Sequence, residues 1–266
     1  MSGLERAVLE RWPSGPDYGI ELAVTTRHGG VSGGPYATLN LGLHVGDHVE
    51  HVMTNRQRAA AAFGVELNSL VFAEQFHGAN VRRVGPAERG RGTLSMEDAI
   101  PSCDVLVTTS PQTTLVMMVA DCVPIALIDP QSGVLAVVHA GWRGTAASVV
   151  VKGVEAVVDG GGAASRVIAF IGPAVDQQRY EVDRTVLDGL EEAAAPDRLA
   201  PEVARDDGPS HWLVDLVEAN RQQLQRAGVA AAHIFTSGTT TADEQYFSDR
   251  AQRPCGRFAL MARLAG

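Results

Sequence analysis

The stretch Ala120-Asp121-Cys122-Val123-Pro124-Ile125 sets a cysteine beside an acid inside an apolar run. Seventeen residues after Cys122, His139 closes a second apolar run and opens the turn Ala140-Gly141-Trp142-Arg143-Gly144. Core packing asks for neither pairing, whereas a soft metal ion does, since thiolate and neutral imidazole suit zinc and copper. His77 ends a third apolar run, Val71-Phe72-Ala73-Glu74-Gln75-Phe76-His77-Gly78, and completes a set of three, 45 residues before Cys122. Taken singly, each fits a plainer role: a buried Cys as a small core residue, a His at a strand end as a hydrogen-bonded one. Taken together, they read as a metal site.

The spacing is not that of a zinc finger, and structural zinc normally takes four protein ligands. Three dispersed ligands leave a coordination position for water, which zinc acidifies toward neutrality. Asp121 and Arg143 then stand beside that water or the substrate. A copper centre with two His, one Cys and a distant Met is the competing assignment. Met117 and Met118 are near enough in sequence, but both read as core of a buried strand. An oxidase with several coppers needs many histidines, and His28, His44, His48, His51, His211 and His233 form no His-x-His pairs. The nucleobase-deaminase signature, His-x-Glu with Pro-Cys-x-x-Cys, is absent too.

The elements that must position these residues are legible in outline. With 266 residues, 45% hydrophobic and 20% charged, the chain can bury a sizeable core, and we expect one domain over 1–266. A net charge of -9 argues against nucleic acid or an anionic membrane as partner. The N-terminus lacks an apolar signal core, and the longest apolar run, Leu115 to Ile128, is too short to span a bilayer. Three scattered cysteines make no disulfide framework, so a cytoplasmic location is expected. Cys103 and Cys255 read as structural or incidental.

Strands are predicted at Val105 to Thr108, Leu115 to Ala120, Pro124 to Ile128, Val134 to His139, Val167 to Ile171 and His233 to Thr236. The turn Asp129-Pro130-Gln131-Ser132-Gly133 makes the third and fourth a hairpin, and their unbroken apolarity implies burial on both faces. Helices are predicted from Thr54, as cap, to Phe63; from about Thr145 to Val158, with Ala147, Val150, Val151, Val154 and Val158 on one face; and from about Val214 to Ala227. The loop Gly29-Gly30-Val31-Ser32-Gly33-Gly34-Pro35 is not a P-loop, because no Gly-Lys-Ser/Thr follows. The pattern is mixed α and β, with helices outside one or two buried sheets.

The three ligand motifs, Gln75-Phe76-His77-Gly78, Ala120 to Pro124 and His139 to Gly144, resemble those of the multicopper polyphenol oxidase (laccase-domain) family, also called the purine nucleoside phosphorylase family. Thr26-Arg27-His28-Gly29-Gly30-Val31-Ser32, Asn40 to Asp47, Asn55-Arg56, Gly172-Pro173, Tyr180-Glu181-Val182, Phe247-Ser248-Asp249-Arg250 and Gly256-Arg257 extend the likeness over nearly the whole chain. Two cysteines common in the family, after the Gly-Pro turn and before a late Thr, are missing at Ala174-Val175 and Gly238-Thr239.

The resemblance implies a layered α/β/β/α fold and zinc on His77, Cys122 and His139. It also implies phosphorolysis of adenosine, inosine, guanosine and methylthioadenosine, with deamination of adenosine. On that reading the partners are a nucleoside and phosphate, and the chain is a monomer or small homo-oligomer. Arg143 and Arg56 are then phosphate candidates, and Arg27 a third, aided by backbone N–H groups of the Gly-rich loop. Asp121 orients a ligand or acts as base, Trp142 stacks on the purine, and Asn40 of the second motif is a substrate-binding candidate. Three alternatives stay open: an amidase editing a UDP-muramyl cell-wall precursor, with Cys122 as ligand or nucleophile; a copper polyphenol oxidase; and a metal-stabilised binding protein without catalysis.

Overall fold

The computed structural model describes residues 7–266. In chain order the elements begin with β1 (Leu9–Arg11), β2 (Ile20–Thr25), α1 (Val49–Phe63), β3 (Leu70–Phe72), β4 (Val81–Arg83) and β5 (Val105–Thr108). Then come β6 (Thr114–Val119), β7 (Val123–Asp129), β8 (Val134–Ala140), α2 (Trp142–Ala146), α3 (Val149–Asp159) and β9 (Ile168–Ile171). The C-terminal part adds β10 (Glu181–Val182), α4 (Arg184–Ala194), β11 (Ala204–Asp206), β12 (Trp212–Val214), α5 (Leu216–Arg226), β13 (Ile234–Thr236) and β14 (Phe258–Leu264). Among the described residues no helix is long and apolar enough to cross a membrane.

Two mixed sheets stack. One runs β1-β2-β14-β6-β3 and the other β13-β9-β7-β8-β5-β4, while β10-β12-β11 forms a small third sheet. The alternation of side chains along a strand shows how the layers meet. Leu115, Met117 and Val119 of β6 join Ala126 and Ile128 of β7, and Leu135 and Val137 of β8, in the core between the sheets. Val116 and Met118 point the other way, onto Ala59, Ala60 and Phe63 of α1. Val134, Ala136, Val138 and Ala140 face α3 and α5 on the far side. The order is therefore helix, sheet, sheet, helices, the α/β/β/α layering expected from the resemblance.

The predicted hairpin is present, with Asp129 paired to Val134 and Val123 to Ala140. Helix ends differ from expectation for local reasons. α1 starts at Val49 rather than Thr54, because the Thr54 hydroxyl donates back to the Glu50 carbonyl (2.9 Å) instead of capping. The helix predicted over Thr145 to Val158 is two helices, broken where Ser148 takes a left-handed φ of 57°. The break turns the apolar stripe, so Val149, Val150, Val154 and Val157 are buried while Val158 is 41% exposed. α5 starts at Leu216, capped by Asp215, whose carboxylate accepts from the Glu218 N–H at 2.8 Å, and Val214 belongs to β12. The sequence reading leaves β2, β14 and α4 unassigned. β14 is central, paired on both edges with β2 and β6.

Candidate metal centre and its cavity

Strand parity sends His139 to the site. It follows Leu135 and Val137 on the face of β8 that looks into the interlayer core, two residues past the last apolar one. Cys122 lies where the chain leaves the first sheet at Val119 and enters the second at Val123. Asp121 makes that crossing with a left-handed φ of 89°, a conformation that Asp tolerates better than most residues. His77 arrives from β3 of the first sheet, where the Gln75 side chain pairs with both backbone groups of Met118 (2.7 and 2.9 Å) as a strand would. The donor atoms of His77, Cys122 and His139 lie within 4.8 Å of one another, among the described residues the one such group of three His, Cys, Asp or Glu.

Asp104, fully buried before β5, holds two of the three. Its carboxylate meets Nδ1 of His139 at 2.7 Å and accepts the backbone N–H of His77 (3.1 Å) and of Gly78 (2.7 Å). His139 therefore turns Nε2 toward Cys122. Gly141 is required opposite: a Cβ there would stand 2.8 Å from the Cys122 Sγ and 3.2 Å from the His77 Cδ2.

Burial alone would raise the Cys122 thiol pKa, but the charges and hydrogen bonds of His139 and His77 pull it well below its ordinary value. Burial alone would lower that of His139, yet the thiolate and Asp104 lift it. Without an ion the pair therefore favours thiolate beside imidazolium, and a metal binding there would displace the His139 proton to reach the thiolate and neutral imidazole that ligate. Two ligands on a tetrahedral zinc stand roughly 3.3–3.8 Å apart, by the usual bond lengths. The nitrogen–sulfur–nitrogen set fits such an ion with only a small contraction.

The centre opens on a cavity of about 600 Å³, a volume suited to a small-molecule ligand. Met96, Met118, Ala73 and Val119 give it an apolar side, and Trp142 and Tyr180 an aromatic one. Arg250, Arg253 and Arg257 give it a basic one. The His44 residue is exposed overall, but its ring lines the cavity. Burial there, with the charges of Arg257, Arg56 and His77, lowers its pKa to about 4, so the ring is neutral near pH 7.

The other predicted residues are placed differently. Asp121 lines the cavity, but its carboxylate is filled by the Thr241 hydroxyl (2.5 Å), the Ser248 hydroxyl (2.7 Å) and the Arg250 N–H (2.6 Å). It braces a loop rather than a ligand. Trp142 lines the cavity; Arg143 does not, and lies exposed with its guanidinium 4.2 Å from the Trp142 ring.

Arg56 is fully buried, donates to the carbonyls of Leu41, Gly92 and Thr93, and packs 4.0 Å from the Phe72 ring. No phosphate can reach it. Arg27 donates to the Ala37 carbonyl and covers Phe247, away from the cavity lining. The Gly-rich loop beside it spends N–H groups on Thr38 and Asn55, which removes it as an anion cradle. Asn40, also fully buried, binds Gly42, Asp47 and the Arg257 N–H, and so has no face for substrate.

The sequence reading missed Asp104, Tyr180 and the three cavity arginines as site residues. Three arginines within eight positions of a motif already singled out, Arg250 to Arg257, were a signal. Asp104 carried none, being one acid at a strand start. Cys103 is core, as expected, and burial pushes its thiol up to about 12.

The family described as multi-copper polyphenol oxidoreductase laccase matches residues 21–265, and the chain belongs to it. Purine nucleoside phosphorylase YlmD of Geobacillus stearothermophilus is 39% identical over 246 residues, 90% of this chain and 87% of the relative. The crystal structure of YlmD from that organism superposes with a TM-score of 0.91 at 36% identity, covering 98% of this chain and all of the other (100%). Adenosine deaminase RL5, from an unknown prokaryotic organism, is 36% identical over 82% of this chain and 83% of its own. The relatives thus carry nucleoside-enzyme names within a family named for copper oxidation.

Proposed function

We propose that this chain is a zinc-dependent purine nucleoside phosphorylase acting on adenosine, inosine, guanosine and methylthioadenosine, with adenosine deamination at the same centre. One observation carries the reading: a two-His, one-Cys group of three ligands opens on a cavity with aromatic and basic sides. A blue-copper site takes a weak axial ligand, most often Met, in some cases Gln, and the Gln75 amide is spent on the Met118 backbone. Met118 points from β6 toward α1, where its sulfur receives the Arg56 guanidinium at 3.8 Å.

His77, Cys122 and His139 would hold the ion, Asp104 fixing the His139 imidazole and the backbone of His77. Bound there, zinc supplies Lewis acidity and, for deamination, a nucleophilic water at neutral pH. Trp142 and Tyr180 offer flat faces for a purine. Neutral His44 offers a polar contact without charge. Asp121 ties the loop bearing Thr241, Ser248 and Arg250 to the ligand crossing, so the cavity wall and the metal keep one geometry.

The test is metal quantification followed by a nucleoside assay with and without phosphate. One zinc per chain, with adenosine and phosphate giving adenine and ribose 1-phosphate, is the expected result; inosine released without phosphate reports the deaminase reaction. Turnover of a UDP-muramyl amino acid alone, or oxygen uptake with a phenol by copper-loaded protein, would replace the proposal with the amidase or the oxidase. No turnover at all by zinc-loaded protein would leave a metal-stabilised binding protein.

A further inference from the structure

Phosphorolysis needs a place for a phosphate dianion, and the three arginines first read for that role do not line the cavity. We propose that Arg257, with Arg250 and Arg253, forms a phosphate-dianion subsite on the wall of the cavity that also holds the metal ligands. The inference rests on the nucleoside reading only for its substrate; the anion site itself rests on the wall.

Each guanidinium is anchored by one edge and free at another. Arg257 Nη1 donates to the carbonyls of Cys255 (3.1 Å) and Gly256 (3.0 Å). Its Nε has no partner among the described residues, and the side chain is only 22% exposed. Arg250 Nη2 donates to the Glu181 carbonyl at 3.0 Å, and the group lies 5.2 Å from the Tyr180 ring, leaving Nε and Nη1. Arg253 Nε donates to Asp249 Oδ2 at 2.7 Å and leaves both terminal nitrogens. Anchored donors lose little freedom when an anion arrives.

The charge is locally unbalanced as well. Three cations line the wall with Asp249 as the acid among them, at 2.7 Å from Arg253 and 3.5 Å from Arg257, while the cavity's other carboxylates are engaged, Asp121 by Thr241, Ser248 and the Arg250 N–H and Glu74 by the Ser102 N–H. In a chain of net charge -9, such a patch in a concave site concentrates anions. The loop that bears it is pinned at both ends, by Asp121 on the Arg250 N–H and by Asn40 Oδ1 on the Arg257 N–H (2.9 Å). The three arginines line the same cavity as His77, Cys122 and His139, which puts the subsite and the metal ligands on one enclosed space.

In the reaction, a phosphate oxygen forms the bond to C1′ of the ribose as the C1′–N9 bond breaks. The electron pair leaves with the purine, which takes up a proton, and ribose 1-phosphate is the second product. Guanidinium donors hold the attacking dianion and orient one oxygen.

Two measurements decide. In initial-rate kinetics, Arg257→Gln and Arg250→Gln should raise KM for phosphate roughly tenfold or more. KM for the nucleoside and the zinc content should stay as in wild type, Arg257→Lys should recover part of the loss, and Arg83→Gln on exposed β4 should change nothing. Phosphate KM equal to wild type in folded Arg257→Gln and Arg250→Gln proteins overturns the proposal. Thermal shift with inorganic phosphate, and separately with AMP, works even if no nucleoside turns over. A rise in Tm with either ligand that Arg257→Gln or Arg250→Gln abolishes supports the subsite and tells free phosphate from phosphate on a nucleotide. No rise in wild type, or equal rises in the variants, overturns it.

Discussion

At the scale of single residues, the candidate ligands could be read from sequence, whereas the groups that aim them could not. His77, Cys122 and His139 each end or interrupt an apolar run, an anomaly visible in one dimension. Asp104 is an ordinary acid until the fold brings both histidine segments onto its carboxylate. Arg56 shows the opposite error. Its type matched phosphate, but burial lowers its pKa to about 9 and three carbonyls occupy its donors. Carboxylate partners of metal-bound histidines are typically worth 10–100-fold in affinity. Asp104→Asn should therefore weaken zinc binding by roughly that factor while the protein stays folded, as read by chelator competition. Unchanged affinity would show that Asp104 serves packing alone. Gly141→Ala should lose metal stoichiometry outright, since its methyl would stand 2.8 Å from the sulfur ligand. One zinc per chain in that variant would contradict the arrangement.

At the scale of elements, strands were more legible than helix ends. The buried hairpin β7–β8 follows from two apolar runs and a Pro-Gly-type turn, and it folds as read. Helix boundaries depend on which hydroxyl or carboxylate caps, and Thr54 and Asp215 show that the choice is made by tertiary geometry. The hairpin turn also carries an electrostatic device. Asp129, with no exposed surface, accepts from the amides of Gln131, Ser132 and Ala163 and pairs with Arg166 at 2.6 Å. Burial alone would raise its pKa, but Arg166 and those amides hold it below its ordinary value. A depressed folded pKa contributes stability above the unfolded value, near ~3.9, and loses it as pH falls through the folded one. Asp129→Asn should thus cost about 2 kcal/mol near neutrality. Its gap to wild type should narrow below about pH 4 in urea melts at stepped pH. A gap that is constant with pH would mean that packing, not charge, is what the substitution removes.

At the scale of the molecule, the layering followed from buried runs with helices outside them, but the pairing did not. β14 lies between β2 and β6 although roughly 140 residues separate it from β6, and no local pattern announces such a contact. The site is equally non-local, with His77 from one sheet, His139 from the other and Cys122 from the crossing. A metal bound there joins the sheets. At a free zinc concentration about 100 times Kd, the linkage contributes about 2.7 kcal/mol. That corresponds to a Tm rise of roughly 5–10 °C for a domain of this size. Calorimetry with and without chelator should show it in wild type and not in His77→Ala. A Tm indifferent to zinc in wild type would separate the ion from the fold.

The crossing at Ala120–Cys122 has a further effect. Because the three donors ride on two sheets, the thickness of the hydrocarbon between those sheets sets the donor spacing. Leu115 and Val137, which lie between the sheets and off the cavity wall, act as shims: trimming either one should detune zinc against other divalent ions before it disturbs any residue in the cavity. Metal preference in this architecture is adjustable from the oil side, through the volume of side chains that carry no donor atom.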